Sequence, residues 1–417
     1  MHVQINQSRA DDAIRAVDSF GAIRSAQAGA DGLNFSLRNQ DIRGLIAVVG
    51  GVNDAAALQQ QWSHCREHTG WLACRQVRMS FPCLRRGGRL AKSMSSAHEE
   101  VAPTLADIRA AAGRINGEIR RTPVMTCASL NADVGAELYF KCENFQRTGS
   151  FKFRGATNAV KSLSADEAAT GVATHSSGNH GAALAAAAKA ARINAKIVVP
   201  ENAARIKQEN IRLHGAELIL CEPTLEARDT KLAEVVAHSG CSVVPPYNDF
   251  RIISGQGTAA MELLDEAGPL QHLIAPVGGG GLLSGIALYA KGADSRIQIW
   301  GAEPAQADDA KQSIDAGRII PANPNTIADG LLTSLGSLTF SVIREHVEDV
   351  LTVSEEQIVE AMRLIWHRMK IIIEPSSAVP VAALLANQSK FAGQRVGIFL
   401  TGGNVDLDKI AALFENP

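Results

Sequence analysis

The feature that most constrains the fold of this chain is a regular alternation, from about residue 101 onward, of helical patterns with short β-rich runs. Strands that alternate with helices in this way predict a parallel sheet covered by helices on both faces, an α/β architecture. Such sheets bind ligands beyond the carboxyl ends of their strands, so the residues after each run are the candidates for chemistry. The runs lie at residues 137–142, 171–175, 195–200, 217–221, 272–277, 297–302 and 395–400.

One predicted strand is followed by an anion-binding pattern. The run 171–175 leads into Ser-Ser-Gly-Asn-His-Gly at 176–181 and then into residues 182–191, which are nearly all helix formers. A turn of small residues before a helix leaves free backbone N–H groups that can hold a carboxylate. A well-capped helix after a tight turn would explain the serines and glycines, but it would not explain Asn179 and His180 together.

A second strand end carries four consecutive glycines, Gly278, Gly279, Gly280 and Gly281, directly after the run 272–277. A glycine run that enters a helix lets the backbone wrap around a phosphate with no side chain in the way. The dinucleotide fingerprint is matched only incidentally, and a Walker lysine is absent from the sequence, so a single phosphate monoester fits better than a pyrophosphate. A flexible loop is the alternative interpretation.

A lysine with an unusual setting lies near residue 150. Lys152 stands between Phe151 and Phe153, straight after a glycine and a serine. The aliphatic part of the side chain could simply lie along the rings while its amine reaches water. The alternative is a partly desolvated, neutral amine of the kind that imine-forming lysines need.

Two further strand ends carry polar residues. Thr401 follows the run 395–400, and Glu303 and Asp309 follow the run 297–302. The two acids, with a backbone carbonyl between them, could bind Mg²⁺ or Ca²⁺, although the pattern by itself fits solvated acids near a helix start better. A nucleophilic lysine, a monophosphate site, a carboxylate-binding helix end and a hydroxyl together suit pyridoxal phosphate and an amino acid.

Composition excludes several other classes. A net charge of −2 gives no general attraction to nucleic acid or to an anionic membrane, and no apolar run approaches the length of a membrane span. The seven cysteines include no Cys-x-x-Cys pair, so neither a zinc site nor a disulfide framework is indicated. With no signal-peptide pattern at the N-terminus, the prediction is a cytoplasmic protein.

The first 98 residues differ from the rest of the chain. They contain eleven arginines but only one lysine, Lys92, and their apolar residues show no sustained period. Residues 1–98 are therefore predicted to be an N-terminal extension of uncertain structure, either regulatory or lying upstream of a natural start at Met94.

Taken together, the motifs resemble those of the fold type II pyridoxal-phosphate enzymes, and among them the threonine/serine dehydratase and serine racemase group. The resemblance runs from about residue 101 to 415, with every motif in the family's order. It implies two open, mostly parallel, twisted sheets flanked by helices, with the cofactor between a large domain (99–170 and 249–417) and a small domain (171–248). It also implies a homodimer.

The resemblance also implies a role for each site residue. Lys152 would carry the cofactor and act as a base, and Ser177 would be the acid or base on the opposite face. Arg228 matches an arginine linked to substrates with a second carboxylate. The cofactor would contact Phe151, Lys152, Asn179, Gly278, Gly279, Gly280, Gly281, Leu282 and Thr401. The substrate would contact Ser176, Ser177, Asn179, His180 and Arg228. A divalent cation would be bound by Glu303, the Ala307 carbonyl and Asp309.

The function that the resemblance implies first is an L-threonine/L-serine ammonia-lyase, which gives a 2-oxo acid and ammonia by α,β-elimination. The alternatives are a threo-3-hydroxyaspartate ammonia-lyase or a serine racemase, which share the fold and differ in pocket detail. A remote alternative is a non-catalytic protein that binds pyridoxal phosphate or an amino acid. Two departures from the racemase pattern, Tyr247 in the segment 246–248 and Thr333 in place of a serine, speak against a dedicated racemase.

Overall fold

The structure is a computed structural model that describes residues 101–176, 178–203, 205–321 and 323–415. The predicted extension, residues 1–98, lies outside the described residues. Among those that are described, no helix combines the length and apolar character that crossing a membrane requires.

Helices make up most of the regular structure. They are α1 (Leu105–Ile115), α2 (Ala128–Val134), α3 (Lys152–Lys161), α4 (Ala165–Thr170), α5 (Asn179–Ala191), α6 (Arg205–Leu213), α7 (Leu225–Ser239), α8 (Phe250–Ala267), α9 (Gly281–Ala293), α10 (Asp309–Ala316), α11 (Ser337–His346), α12 (Glu355–Met369), α13 (Pro375–Ala386), α14 (Gln388–Phe391) and α15 (Leu407–Glu415).

The strands alternate with these helices along the chain. They are β1 (Val124–Met125), β2 (Glu137–Cys142), β3 (Val172–His175), β4 (Ala195–Pro200), β5 (Glu217–Cys221), β6 (Ser242–Val243), β7 (His272–Pro276), β8 (Gln298–Pro304), β9 (Asp349–Val353) and β10 (Arg395–Leu400).

The strands form two separate sheets. The larger has the order β1-β2-β10-β7-β8-β9 and the smaller has the order β5-β4-β3-β6. Every pairing is parallel except that of β1 with β2, which is antiparallel. The predicted α/β fold with two mostly parallel sheets is therefore confirmed, while the predicted domain limits, 99–170 with 249–417 and 171–248, stay a prediction.

Local sequence signals explain where several helices begin. Thr104 and Asp107 form a capping box at the start of α1, and Ser354 and Gln357 form another at the start of α12. Each box satisfies backbone N–H groups that a helix start leaves without partners, which stabilises the helix by about 1 kcal/mol. Asp249 caps α8 by accepting from the backbone N–H groups of Arg251 and Ile252.

Apolar side chains cover both faces of each sheet. One face of the large sheet packs with α2, α12 and α13, and the other face packs with α1, α8, α9 and α11. The small sheet packs with α3 and α5 on one face and with α7 on the other. The loops that follow β3, β7 and β10 carry the segment before α5, the glycine loop and Thr401.

Glycines bring three helices into backbone contact. A Cβ atom at Gly255 of α8 would lie only 2.6 Å from the Cα atom of Gly155 in α3. Two residues further along α8, a Cβ atom at Gly285 of α9 would lie 2.6 Å from the backbone nitrogen of Gly257. At these glycines α8 is in direct backbone contact with both α3, which begins at the predicted cofactor lysine, and α9, which begins at the end of the glycine loop.

A buried ion cluster fastens α3 to the large sheet. It consists of Lys141 and Glu143 at the end of β2, Arg154 on α3 and Glu262 on α8, and we call it the paired cluster. All four residues are buried. Arg154 donates to both oxygens of Glu143 at 2.7 and 2.8 Å and to both oxygens of Glu262 at 2.8 Å, while Lys141 donates to Glu262 at 2.7 Å. Two cations and two anions balance, so this set needs no external ion.

Candidate active site

Lys152 is the first residue of α3 and directly follows the N-cap residue Phe151. Its Nζ donates to the carbonyl oxygen of Pro246 at 2.8 Å and lies 5.2 Å from the centroid of the Phe151 ring. Burial lowers the pKa of Lys152 to about 8, although the negative charge of Glu374 opposes that shift. A substantial fraction of this amine is neutral near physiological pH, so it can act as a nucleophile or a base.

The predicted carboxylate-binding segment, 176–181, opens α5 as expected. Gly178 is the N-cap residue and has no side chain to cap the first N–H groups of the helix. The hydroxyl oxygen of Ser176 accepts from the backbone nitrogen of Gly178 at 3.3 Å, which shapes the turn before the helix. Ser177, the predicted acid or base on the opposite face, lies outside the described residues.

His180 is buried and uncharged. Its Nε2 lies 2.9 Å from the carbonyl oxygen of Val244. Because a carbonyl only accepts, Nε2 carries the proton. Burial lowers the pKa of His180 to about 3. Its Nδ1 is buried with no partner among the described residues. His180 therefore cannot supply a positive charge to a substrate carboxylate near neutral pH.

Asn179 is held by two other polar residues. Its Nδ2 donates to both carboxylate oxygens of Glu374, at 3.0 and 3.2 Å, and its Oδ1 accepts from Nδ2 of Asn404 at 2.8 Å. Asn404 lies three residues beyond Thr401 in the same loop, so these contacts join the start of α5 to the end of β10. The Asn179 amide is thereby fixed in one orientation.

The glycine loop 278–281 lies between β7 and α9, and all four glycines are buried. A Cβ atom at Gly279 would lie 2.3 Å from the ring of Tyr247, so the ring itself excludes any side chain there. Thr339 donates to the carbonyl oxygen of Gly279 at 2.8 Å, and Leu282 is buried in the first turn of α9. Since Tyr247 directly follows the residue that accepts from Lys152, the loop and the lysine are neighbours.

Thr401 follows β10 and is buried beside the lysine. Its Oγ1 lies 3.0 Å from the hydroxyl of Ser377, and its carbonyl oxygen accepts from the backbone nitrogen of Phe151 at 3.0 Å. Ser377 also donates to the carbonyl oxygen of Gly402 and accepts from its nitrogen, both at 2.7 Å. The predicted hydroxyl at this strand end thus lies next to the residue that precedes Lys152.

These groups fit pyridoxal phosphate. The lysine, the start of α5, the glycine loop and Thr401 converge where β3, β7 and β10 end. Ser150, directly before Phe151, is fully buried, and its hydroxyl has no partner in the described part of the chain. A neutral amine for an aldehyde, a glycine loop at a helix start for a phosphate and hydroxyls for ring atoms are the groups that this cofactor needs.

Arg228 lies one turn into α7 and is half-buried. Its positive charge lowers the pKa of His175, the last residue of β3, although burial is the larger cause of that shift. The Nε of Arg228 is buried and has no hydrogen-bond partner in the residues described. Arg228 thus lies close to the strand that leads into the carboxylate-binding segment, but it makes no described contact with Lys152.

Glu303 and Asp309, which we call the unpaired acids, are both buried. Glu303 is the penultimate residue of β8, and its carboxylate accepts from the backbone nitrogens of Ala310 and Lys311, at 3.0 Å each. Both carboxylate oxygens of Asp309 are buried and have no side-chain partner among the described residues, although the backbone N–H of Leu335 lies near enough to lower the pKa of Asp309 slightly against the effect of burial. Ala307 is buried between the two acids in sequence. Burial raises the pKa of Glu303 to about 9 and that of Asp309 to about 7. Two carboxyls in this state fit a site for a hard divalent cation.

Two residues that contact the predicted site residues were missed by the sequence analysis. Glu374 binds Asn179, and Ser377 binds both Thr401 and Gly402, as described above. The available signal was weak: an apolar run at 371–373 ends in one acid, directly before a proline that begins α13. An acid at such a position is usually read as favourable to the helix start rather than as part of a site.

Comparison with known proteins gives the same assignment. Residues 115–402 match the family described as "Pyridoxal-phosphate dependent enzyme". The chain is 48% identical over 309 residues to a beta-hydroxyaspartate dehydratase of Paracoccus denitrificans, which covers 74% of this chain and 98% of that protein. The crystal structure of a serine racemase from Dictyostelium discoideum is 48% identical, with a TM-score of 0.71, and covers 73% of this chain and 99% of that one.

The crystal structure of a threonine deaminase from T.th. is also similar, at 40% identity and a TM-score of 0.70, covering 73% of this chain and 99% of that one. The family resemblance that the motifs predicted is therefore confirmed. With a family match over more than half of its length and relatives of this similarity, the chain belongs to the pyridoxal-phosphate dependent enzymes of the dehydratase and racemase family.

Proposed function

We propose that this enzyme is a 3-hydroxyaspartate ammonia-lyase that releases ammonia and a 2-oxo acid by α,β-elimination. The observation that carries this proposal is the side chain of Arg228, a half-buried guanidinium beside the substrate segment with one N–H group left without a partner in the described structure. A guanidinium is well shaped to hold a carboxylate by paired hydrogen bonds, and 3-hydroxyaspartate has a second carboxylate to offer.

Arg228 favours a 3-hydroxyaspartate ammonia-lyase over a threonine/serine ammonia-lyase. Threonine and serine have no second carboxylate, so neither substrate explains a cation at this position. The similarity to a beta-hydroxyaspartate dehydratase, at 48% identity, also supports an acidic substrate more than the 40% identity to a threonine deaminase supports threonine.

The roles of the chain's residues follow from their geometry. Bound pyridoxal phosphate supplies an electron sink for the charge that develops at the substrate α-carbon. The amine of Lys152, with its pKa near 8, takes the α-proton as a general base. The N–H groups at the start of α5 hold the α-carboxylate, and Arg228 holds the β-carboxylate, which leaves the β-hydroxyl unbound. The β-hydroxyl takes up a proton as its bond to carbon breaks and departs as water.

Lys152 tests whether the protein is an enzyme of this class at all. In Lys152→Ala we expect elimination to be abolished while the fold is kept, because one amine serves as both the cofactor's attachment point and the base. Turnover above a few per cent of wild type would contradict this role. The purified wild type should show a visible absorbance band, and borohydride should fix the absorbing group onto Lys152. If it does not, a non-catalytic protein is favoured.

Arg228 tests the substrate. In Arg228→Ala we expect the kcat/KM for 3-hydroxyaspartate to fall by about ten- to a hundredfold, the loss of one charge-assisted contact, while threonine and serine change little. The assay is 2-oxo acid release from threonine, serine and both hydroxyaspartate diastereomers. The control is Lys231→Ala, a cation on the same helix that pairs with Glu234. If the ratio of kcat/KM for 3-hydroxyaspartate to kcat/KM for threonine or serine is the same in wild type and variant, Arg228 does not bind the second carboxylate. Threonine or serine would then be the favoured substrate.

Serine racemase is the second candidate function, supported by the similarity to the Dictyostelium enzyme at 48% identity. Racemisation needs an acid or base on the face opposite Lys152, and the resemblance assigns this role to Ser177. In Ser177→Ala we expect any interconversion of L- and D-serine to be lost while elimination driven by Lys152 continues. Equal losses of racemisation and elimination would show that Ser177 is not specific to racemisation.

We also propose that Glu303, the Ala307 carbonyl and Asp309 bind Mg²⁺ or Ca²⁺. The support is the pair of unpaired acids, whose charge is otherwise balanced only by protons and backbone dipoles. A homodimer and a cytoplasmic location remain predictions, which size-exclusion chromatography with light scattering and cell fractionation would test.

A further inference from the structure

We propose that Glu374 is a positioning residue that fixes the orientation of the Asn179 amide and so leaves one amide hydrogen available to the cofactor when it is bound. This inference rests on the proposed cofactor site but not on the identity of the substrate. Glu374 is 3% exposed and is the N-cap residue of α13, where the positive end of the helix dipole favours its ionised form.

The direction of each hydrogen bond follows from a group that can only accept. Asn404 donates from Nδ2 to the carbonyl oxygen of Thr148 at 2.8 Å, which identifies that atom as the nitrogen. The same nitrogen then donates to Oδ1 of Asn179, so the other end of the Asn179 amide is its nitrogen. An ionised carboxylate also accepts only, and Glu374 faces this nitrogen.

Turning the Asn179 amide over would place its oxygen against a buried negative charge and its nitrogen against a donor. Both changes are unfavourable, the first because Glu374 is buried and its charge is little screened by solvent, so the orientation is fixed. An amide nitrogen carries two hydrogens, and the near-equal distances of 3.0 and 3.2 Å to the two Glu374 oxygens are those of one hydrogen shared between them. The second hydrogen stays available for the cofactor.

Charge rather than shape is what Glu374 supplies. Its two oxygens accept from Asn179, and Oε2 also accepts from the backbone nitrogen of Asn404 at 3.2 Å. A glutamine would fill the same volume, but its own amide nitrogen would face one of these donors. Glu374→Gln therefore loosens the orientation of Asn179 without opening a cavity.

The test is the dissociation constant of pyridoxal phosphate, measured by titrating cofactor-free protein. We expect Glu374→Gln to bind the cofactor about tenfold more weakly than wild type. Glu374→Asp, which withdraws the carboxylate by one methylene group, should fall between wild type and Asn179→Ala. The control is Glu355→Gln, a carboxylate that accepts from the backbone nitrogen of Ile327 at 2.9 Å and should leave the constant unchanged.

A double-mutant cycle separates positioning from a general structural effect. If Glu374 acts through Asn179, adding Glu374→Gln to Asn179→Ala should change the dissociation constant by less than twofold. A full tenfold loss in that background overturns the proposal, and so does a Glu374→Gln variant that binds like wild type.

Two further outcomes are decisive. If wild type itself takes up no cofactor, the proposed function fails together with this inference. If Glu374→Gln does not fold, Glu374→Asp decides the question, and an Asp variant that binds as tightly as wild type overturns the proposal.

Discussion

The paired cluster and the unpaired acids each bury two carboxylates, but only the first contains its own cations. In the paired cluster, hydrogen bonds and positive charge from Arg154 and Lys141 hold the pKa of Glu262 below its ordinary value despite burial. In the unpaired acids, burial raises the pKa of Glu303 and Asp309 because no Lys or Arg side chain lies within ion-pair distance among the described residues. The first set is complete when the chain folds, whereas the second needs protons or a cation.

The largest expected effect is on the paired cluster. Arg154→Met removes one cation and leaves Glu143 and Glu262 buried with Lys141 alone, which should lower the free energy of unfolding by about 3–5 kcal/mol. Urea denaturation in the presence of a chelator measures this free energy of unfolding. The control is Arg296→Met, which breaks an exposed pair with Asp294 and should cost less than about 1 kcal/mol. If Arg154→Met lowers the free energy of unfolding no more than the control does, the buried carboxylates of the paired cluster do not depend on Arg154.

The next effect concerns completion of the unpaired acids. An ion that binds only the folded state should stabilise it by about 2.7 kcal/mol at a hundredfold excess over its dissociation constant. The melting temperature in Mg²⁺ or Ca²⁺ should therefore exceed that in a chelator, and Asp309→Asn should abolish the difference. Asp315→Asn, an exposed acid at the end of α10 that pairs with Lys311, should keep it. Identical melting temperatures with and without chelator would show that the unpaired acids do not bind the cation.

Neutralising one acid in each region sharpens the contrast further. In chelator at pH 8, Glu262→Gln should lose about 1–3 kcal/mol, because buried donors and cations lose their acceptor. Asp309→Asn should lose nothing or gain stability, because it removes a buried charge that lacks a described partner. The free energies of unfolding of both variants decide the matter. Equal losses would show that the two regions do not differ.

The smallest effect is a difference in pH dependence. Asp309 has a folded-state pKa of about 7, above its unfolded value, so the folded state binds the proton more tightly and stability falls as pH rises through that interval. In chelator, wild type should lose about 1 kcal/mol per pH unit relative to Asp309→Asn between pH 5 and pH 7. Unfolding curves at several pH values measure the slope. Parallel curves would mean that Asp309 is solvated.

The sequence predicted the strands that have a strong apolar run. The predicted run at 395–400 coincides with β10, and that at 195–200 coincides with β4. The two-residue strands β1 and β6 are too short to produce a pattern, and β9 is an edge strand whose residues 349–353 alternate only briefly. Such strands form because a neighbour offers free hydrogen-bonding groups, which no local pattern records.

The site shows the same division. Asn179 and the glycine loop could be found because each lies in a compact motif at a strand end, and Lys152 because it stands between two phenylalanines after a glycine and a serine. Glu374 could not, because it is 195 residues from its partner Asn179 along the chain. In the same way, buried charges such as Arg154 look like surface charges until their partners are known.

The glycine contacts along α8 also bear on how this site can change. Gly155, Gly255, Gly257 and Gly285 set the distance between the helix that begins at Lys152 and the helix that begins at the phosphate loop. This distance cannot be changed in small steps. Even alanine at Gly255 would place its Cβ atom 2.6 Å from the Cα atom of Gly155, whereas two carbon atoms in contact need about 3.5 Å or more. A displacement of about 1 Å between catalytic groups can cost a hundredfold in rate. We therefore expect new substrate preferences to arise through the loops and α7, because the spacing between the start of α3 and the glycine loop cannot change in small steps.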